Sequence, residues 1–582
     1  MIRGSGRLLL RSDREGIALL VVLLLTLVVA AIAAGAALIG ANSFLINQYD
    51  QKVSLLEAVA DAGLELGRAR LNADPSLFPT GTGVTTLEDD AVVYDAAGVA
   101  IPHVTRSLYA GPVGGGSGEY GSFGMVVAVA RDADGVEAIR RLDLVQSSFS
   151  AYSYFTDYEP TNIAFGNNDQ LYGPVHSNSN IKIRSTGATF HGPVSTAGVF
   201  EGAEYATFLD DTLSAATPIA MPSTAQLTEL KDRATPGYMA FTTAALGGTA
   251  SQSTMRIEFI SRNVDGDAAM EGFIRVYDSS DAAWVSAHLP SGFAHDSIAF
   301  RNTWNCGHYE IDGTFVATPA DATHSSYEVL SDQPNARCFL GGDEALWNGT
   351  FEPTDAFGQW RAFPGTVHPD VAAQPDGAYL FPLERDLNPG FRGVIHVEGN
   401  VVVSGTVRGR LTLAATGNII IADDLVYQTD PGSGTCTDML GLFSGTQIIF
   451  ADNTLNAPRQ IPTTTTYRTY DDTSDEFIHA SLLALDQITT ENWSGGSTTA
   501  EPCDGMAWGR GCLFITGGLI QNTRGPVSST GGTGYVKRYS HDTCAFTEPA
   551  PYFPATGHFW KSRYYEVNPT GFDIAAYFAA FN

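Results

Sequence analysis

Gly16-Ile-Ala-Leu-Leu-Val-Val-Leu-Leu-Leu-Thr-Leu-Val-Val-Ala-Ala-Ile-Ala-Ala-Gly-Ala-Ala-Leu-Ile39 is the longest apolar run in a chain of 582 residues, and it holds no charge. Wound as a helix at about 1.5 Å per residue, 17–39 would rise roughly 34 Å. That crosses a hydrocarbon core of about 30 Å. The head before it carries Arg3, Arg7, Arg11 and Arg14 against only Asp13 and Glu15. The basic end is therefore expected to stay in the cytoplasm, with everything after Ile39 exported. The run also continues as a helix. From Ala41 to Asn72 there is no proline, and Leu45, Tyr49, Val53, Leu56, Ala60, Leu64 and Leu71 recur mostly three or four apart, with charges between them. One helix is expected over 17–72, ended by Asp74-Pro75. Three fates stay open for it: a cleaved signal peptide with Ala34-Gly-Ala36 as its small-residue cut, a plain uncleaved anchor, or a basic leader of residues 1–16 removed after Gly16. A signal peptide's apolar core is ordinarily shorter, about 7–15 residues.

A chain this long exceeds one hydrophobic core. Its 61 Gly, 28 Pro, 10% aromatic and 16% charged residues point to β structure with many turns. The 63 acids against 33 bases leave a net charge of −30, which excludes nucleic-acid binding through a basic surface. The fold class expected is mainly β: a long N-terminal transmembrane helix, a small β domain, and a right-handed β-helix-like solenoid with an inserted β domain.

Residues 73–148 read as the small β domain, where the alternating runs 124–130 and 138–144 flank Asp134-Gly135, a hairpin turn. Asp132-Ala-Asp134-Gly135 has the opening of a calcium loop without its closing ligands, so it reads as a turn. Thereafter short strands repeat. Gly173-Pro-Val-His-Ser177 returns as Gly192-Pro-Val-Ser195 after 19 residues, and Gly399-Asn-Val-Val-Val-Ser404 as Gly417-Asn-Ile-Ile-Ile-Ala422 after 18. Gln447-Ile-Ile-Phe-Ala-Asp452 is a third echo and Leu513-Phe-Ile-Thr-Gly-Gly-Leu-Ile520 a fourth. Brief β-branched strands with Gly and Asn corners at this period are the mark of a β-solenoid, with an antiparallel sandwich as the alternative. The solenoid is assigned to 149–224 and 356–582. Residues 225–355 break the period and read as an inserted β domain, with a short helix at 224–231 and strands at 255–260 and 272–277.

The six cysteines, Cys306, Cys338, Cys436, Cys503, Cys512 and Cys544, form an even set in an exported chain and read as disulfides, in any of fifteen pairings. Cys306 with Cys338 comes first because both lie in the insertion. No CxxC occurs, so neither a zinc nor a redox site is expected, and no cofactor or metal. No catalytic motif is present either: there is no G-x-S-x-G, no H-E-x-x-H and no phosphate-binding glycine loop. His176 and His191 fall at repeated coil positions, and His396 and His479 in strand-like runs, so all four read as structural. Asp423-Asp424 at a coil corner, with Arg408 and Arg410 one coil earlier, is the nearest approach to the acidic cluster and base of a polysaccharide lyase. Asn263-Val-Asp-Gly-Asp267 reads as a turn in preference to a cation loop.

The stretch from Arg14-Glu-Gly-Ile onward resembles the N-termini of PilX-type minor pilins and of the K-type pseudopilin of type II secretion. The resemblance implies that prepilin peptidase cuts between Gly16 and Ile17, and that the helix packs with those of other pilins or pseudopilins in the cytoplasmic membrane. The fifth mature position, Glu in major pilins, is Val21 here. In PilX-type and K-type subunits it is commonly absent as well, which suits a place at a filament tip or in an initiating complex. The strings 171–178, 394–405 and 518–527, with Tyr535 to Tyr539 and Pro551-Tyr-Phe-Pro554, resemble a largely uncharacterised family of pilus-associated exported proteins that supplies no active site. The expectation is a non-enzymatic minor pilin or pilus-assembly subunit displaying an exported solenoid. The rival is a membrane-anchored surface solenoid that binds or cleaves polysaccharide.

Overall fold

The computed structural model describes residues 14–79, 83–113, 119, 123–166, 169–243, 253–279, 308–309, 315–316, 353, 358–450, 459–460, 466–467, 475–491, 493–494, 503, 511–529 and 532–581. They are mainly β, with one long helix at the N-terminus. The chain divides into two units: 1–112 with 125–144 and 561–582, and 113–124 with 145–560.

In the first unit, helix α1 (Arg14–Ala73) runs for 60 residues without a break. It holds no proline, and alanine and leucine dominate its first half, both strong helix formers. Asp74 ends it by turning its side chain onto the Ser76 N–H at the start of the short turn Pro75–Leu77. The inner half of α1 buries Leu56, Val59, Ala60, Leu64 and Leu71, a single face at helical spacing. That face meets an antiparallel sheet whose order is β1 (Thr85–Tyr94), β2 (Ala100–Pro112), β3 (Phe123–Asp132), β4 (Glu137–Ser148) and the final strand Ala555–Val567. Gly67 sets the closeness of that contact. A Cβ there would stand 2.7 Å from Val126 Cγ1, in the buried middle of β3. The β3–β4 turn is held by Asp132, whose Oδ1 accepts from the Asp134 and Val136 N–H groups. Lys52 of α1 pairs with both Asp132 and Asp134, so an ammonium occupies the place where a bound cation would sit. Residues 561–582, which the sequence reading joins to the last solenoid part, belong to this unit.

The second unit is built on parallel ladders. One column of directly paired residues runs Leu213, Ser195, His176, Phe155, Ile520, Leu483, Phe443, Ala414, His396 and Ala240. A second runs Phe208, Phe190, Leu171, Tyr539, Ile515, Ile478, Leu425, Gly405 and Phe259. A third runs Ile488, Ile448, Ile419 and Val401. The neighbours Val194, Val175, Tyr154, Leu519, Leu482, Leu442, Leu413 and Ile395 are each no more than 2% exposed, so one apolar column threads the first ladder. Parallel strands buried on both faces read as continuous Val/Ile/Leu runs, which is the texture of 394–450. The repeated glycines have a steric cause. A Cβ on Gly192 would lie 2.5 Å from the Gly173 carbonyl carbon, and one on Gly417 would lie 2.7 Å from that of Gly399. Each corner rests on the backbone of the corner before it.

The first two sequence echoes pair in the register their spacing implies, Val175 with Val194 and Val401 with Ile419. The fourth place in the 401–419–448 ladder, however, belongs to Ile488–Thr490 and not to the 513–520 string. Spatial order also departs from chain order. Strand Cys512–Thr523 pairs with Glu476–Ala484 on one side and with Tyr154–Tyr158 on the other. The stack therefore runs outward from 154 to 213, restarts at its far end with 240, and works back to 523. Arg524 and Glu159, at 4% and 0% side-chain exposure, close this joint with an ion pair of 3.0 Å.

Within the segment assigned to an inserted β domain, Met255–Arg262 and Glu271–Ser279 form an antiparallel hairpin, and Met255–Arg262 continues the ladder in parallel with Val401–Val407. This hairpin belongs to the same sheet as the parallel ladders. Two of its arginines meet buried acids: Arg275 stands 2.8 Å from Glu258 and 2.9 Å from Asp376, and Asp376 also takes Arg262 at 2.6 Å. Two disulfides join Cys436 to Cys544 and Cys503 to Cys512. Cys306 and Cys338 lie outside the described residues.

Candidate functional site

The free half of α1 is the feature that demands a partner. Every large apolar residue from Ile17 to Ile46 is exposed, from 46% at Val21 to 70% at Leu19. Burying one Leu, Ile or Val side chain is worth about 1.5–3 kcal/mol. A rod of such residues is thus driven strongly out of water. The helix is long and apolar enough to cross a membrane. The inner half of the same helix is fixed on the sheet, where Arg70 and Arg106 share Glu88 at 2.6 and 2.9 Å. Arg140 lies 2.9 Å from Glu57 and 3.5 Å from Asp61. Nothing breaks the backbone between the two halves. Gly16 and Ile17, the expected processing site, lie in the first turn of the helix, and Ile17 is 63% exposed.

The residues weighed as catalytic are spread through the second unit. His176 is buried, its ring 2.8 Å from Ser195 Oγ and 3.0 Å from Asn178 Oδ1, and stacked on Phe155. Burial lowers its pKa, with Asn178 opposing. His191 bonds Gln170 and stacks on Tyr172 at 3.9 Å. His479 accepts the Tyr427 N–H through Nδ1. Asp424 accepts the Phe477 N–H. Arg408 is held by Asp438 and the Met270 carbonyl, and Arg410 by Glu548 and the Pro549 carbonyl. His396 is 1% exposed with neither ring nitrogen in a hydrogen bond; the other three histidines and Asp424 each have a structural bond, and the two arginines point their charge at Asp438 and Glu548.

In the 263–271 turn, carboxylate oxygens of Asp265, Asp267 and Glu271 come within 4.8 Å of one another. The same three carboxylates hold the loop's own backbone: Asp265 accepts from the Asp267 N–H, Asp267 from Ala269, and Glu271 from Val264. The arrangement closes the hairpin. The two disulfides suit a body folded in an oxidising compartment. Sequence spacing left their pairing open, although the nine-residue separation of Cys503 and Cys512 is a local signal that could have singled out that pair.

No family model matches the chain, and no curated protein does. Among solved structures, the crystal structure of the competence-associated pilin ComZ from Thermus thermophilus is similar at 11% identity and a TM-score of 0.26, over 88% of this chain and 97% of that one. A likeness at that score carries no argument about this chain.

Proposed function

We propose that the chain is a minor subunit of a type IV pilus-like filament or of its assembly complex. In this reading prepilin peptidase cuts between Gly16 and Ile17, the exposed half of α1 packs among the helices of other pilins, and the second unit is a β-solenoid displayed outside. One observation carries it. A single unbroken helix is uncovered and apolar over 17–46 and buried on its own sheet from Leu56 onward, so any displacement of the free half is transmitted to the folded part. A plain anchor needs no such stiffness. Val21 in place of an acid removes the group that would neutralise a neighbour's amino terminus, which favours a tip or initiating position. The three parallel ladders, stacked at the 18–19-residue spacing of the sequence echoes, support the solenoid. The structural bonding of His176, His191, His479 and Asp424 supports a non-enzymatic role.

N-terminal sequencing of the native protein from membranes tests this. A mature terminus at Ile17, lost when Gly16 is replaced by a bulky residue, is the expected result. An intact Met1, or a cut near Ala36, overturns the pilin reading in favour of an anchor or a signal peptide.

A further inference from the structure

A cavity of ≈ 410 Å³ opens in the second unit at the joint between the last coil and the first. That volume falls in the range of small-molecule sites, about 300–1,000 Å³. Its walls combine the loop after Tyr154–Tyr158, the turn at Arg184, and the segment that follows Cys512–Thr523, with Lys537 beneath.

The charge here runs against the rest of the chain. The charged lining is Arg184, Arg524 and Lys537 against Asp169. Arg524 is spoken for: it gives Nη1 to Glu159 Oε2 at 3.0 Å and lays its guanidinium 3.9 Å from the centre of the Phe165 ring. Lys537 reaches Asp169 Oδ2 only at 3.5 Å, from a side chain 14% exposed. That is too long for a strong charge-assisted bond, ordinarily about 2.7–2.9 Å, and burial holds the lysine pKa below its ordinary value. A closer anion would satisfy it better. Arg184, exposed, donates Nη2 to the Asn162 carbonyl at 3.2 Å, and a guanidinium carries about five N–H donors. Even counting Glu159 behind Arg524, cations outnumber carboxylates in a protein whose net charge is −30. A cationic pocket in an acidic surface focuses anions.

The remaining lining says what kind of anion. Trp493 contributes an indole 37% exposed, whose flat apolar face suits the C–H face of a sugar ring. Beside it Asn162, Gln487 and Ser528 supply amide and hydroxyl groups suited to a polyhydroxylated ligand. A bare inorganic anion would have no use for the indole, and a neutral sugar none for the cations. We propose that this cavity binds an acidic sugar, a hexuronate unit of a glycan, with its carboxylate held by Arg184 and Lys537 and its ring face on Trp493. The proposal does not depend on the filament reading, since it concerns what the displayed body touches.

The test is isothermal titration calorimetry on the full chain in detergent micelles. The probes are galacturonate, glucuronate and short oligogalacturonides, set against galactose, neutral galactose oligomers and inorganic phosphate. Uronate binding is expected at submillimolar Kd, at least tenfold tighter than the neutral sugars. Losing a hydrogen bond to a charged group is worth about a tenfold change or more, so Arg184→Ala should weaken uronate binding at least that much. Trp493→Ala should weaken the oligomers similarly. Both side chains are partly exposed, so thermal unfolding should stay at the wild-type value in each variant and a loss of binding cannot be ascribed to misfolding. No heat with any uronate up to about 10 mM, equal affinity for neutral sugars, phosphate binding as tight as uronate, or affinity untouched in both variants would each overturn the proposal.

Discussion

Removing the two disulfides separately should cost unequal amounts of stability, and the inequality can be worked from the fold. Cys436 and Cys544 are 108 residues apart in the chain, while Cys503 and Cys512 are 9 apart and lie inside that longer loop. If a disulfide acts by restricting the unfolded chain, the long bridge is worth about 4.8 kcal/mol and the short one about 2.6. The inner bridge shortens the outer loop by only a few residues, which leaves the difference near 2 kcal/mol in the same logarithmic relation. Replacing each pair by two alanines deletes the same atoms in both cases. Three of the four cysteines are at most 4% exposed, so the packing losses nearly cancel. The assay is urea unfolding of the full chain in detergent, followed by tryptophan fluorescence and fitted for each double variant. The Cys436→Ala/Cys544→Ala chain should be the less stable by about 2 kcal/mol. Equal costs, or a larger cost for Cys503→Ala/Cys512→Ala, would refute the idea that the outer bridge acts by closing a long loop around the strands between 436 and 544.

Gly67→Ala sets a gain of about 1 kcal/mol in helix propensity against a Cβ 2.7 Å from Val126 Cγ1. Overpacking of about 1–3 kcal/mol should win, so circular dichroism melting of the first unit should show a lower midpoint. Arg275→Met takes the buried guanidinium from Glu258 and leaves Asp376 with Arg262 alone, and should cost about 3–5 kcal/mol in urea unfolding. A triple change that also neutralises both acids should recover much of that loss. His176, His396, His479 and His541 all have pKa values lowered from 6.5, in each case chiefly by burial. A group with a depressed folded pKa contributes stability that is full above its unfolded value and lost as pH falls through the folded one. The unfolding midpoint of the second unit should therefore fall as pH drops below 6.5, and replacing His176 by Gln should flatten that slope. A midpoint level from pH 7.5 to 5.5, roughly two units about the imidazole range, would contradict the burial of these rings.

The long helix was legible because its evidence is local: a charge-free run, heptad-like spacing after it, and Asp74-Pro75 at its end. The stacked corners were legible for the same reason, since Gly173 and Gly192 must repeat if one backbone is to rest on another. The return of Cys512–Thr523 to Tyr154–Tyr158 was not. It joins strands more than 350 residues apart, and any Val/Ile-rich strand could have filled that place. The hairpin 255–279 misled in a related way. Its alternating pattern belongs to an antiparallel pair, and nothing in it announces that Met255–Arg262 also pairs in parallel with Val401–Val407. Buried charges such as Arg275 and Arg524 look like surface residues in a sequence, because only the fold supplies Glu258, Asp376 and Glu159. The cavity at the joint was hidden for the same reason. Its walls become neighbours only once Cys512–Thr523 pairs with Tyr154–Tyr158.

That meeting has a mechanical side. The Phe149 N–H donates to the Pro554 carbonyl, and Thr556 and Trp560 both bond Ser147, so the two ends of the stretch 145–560 meet. The long stretch between them therefore leaves and returns at one place. Strands β4 and Ala555–Val567 are neighbours in one sheet, so tension applied across the ends of that stretch would load their shared hydrogen bonds in shear before it reached the ladders between.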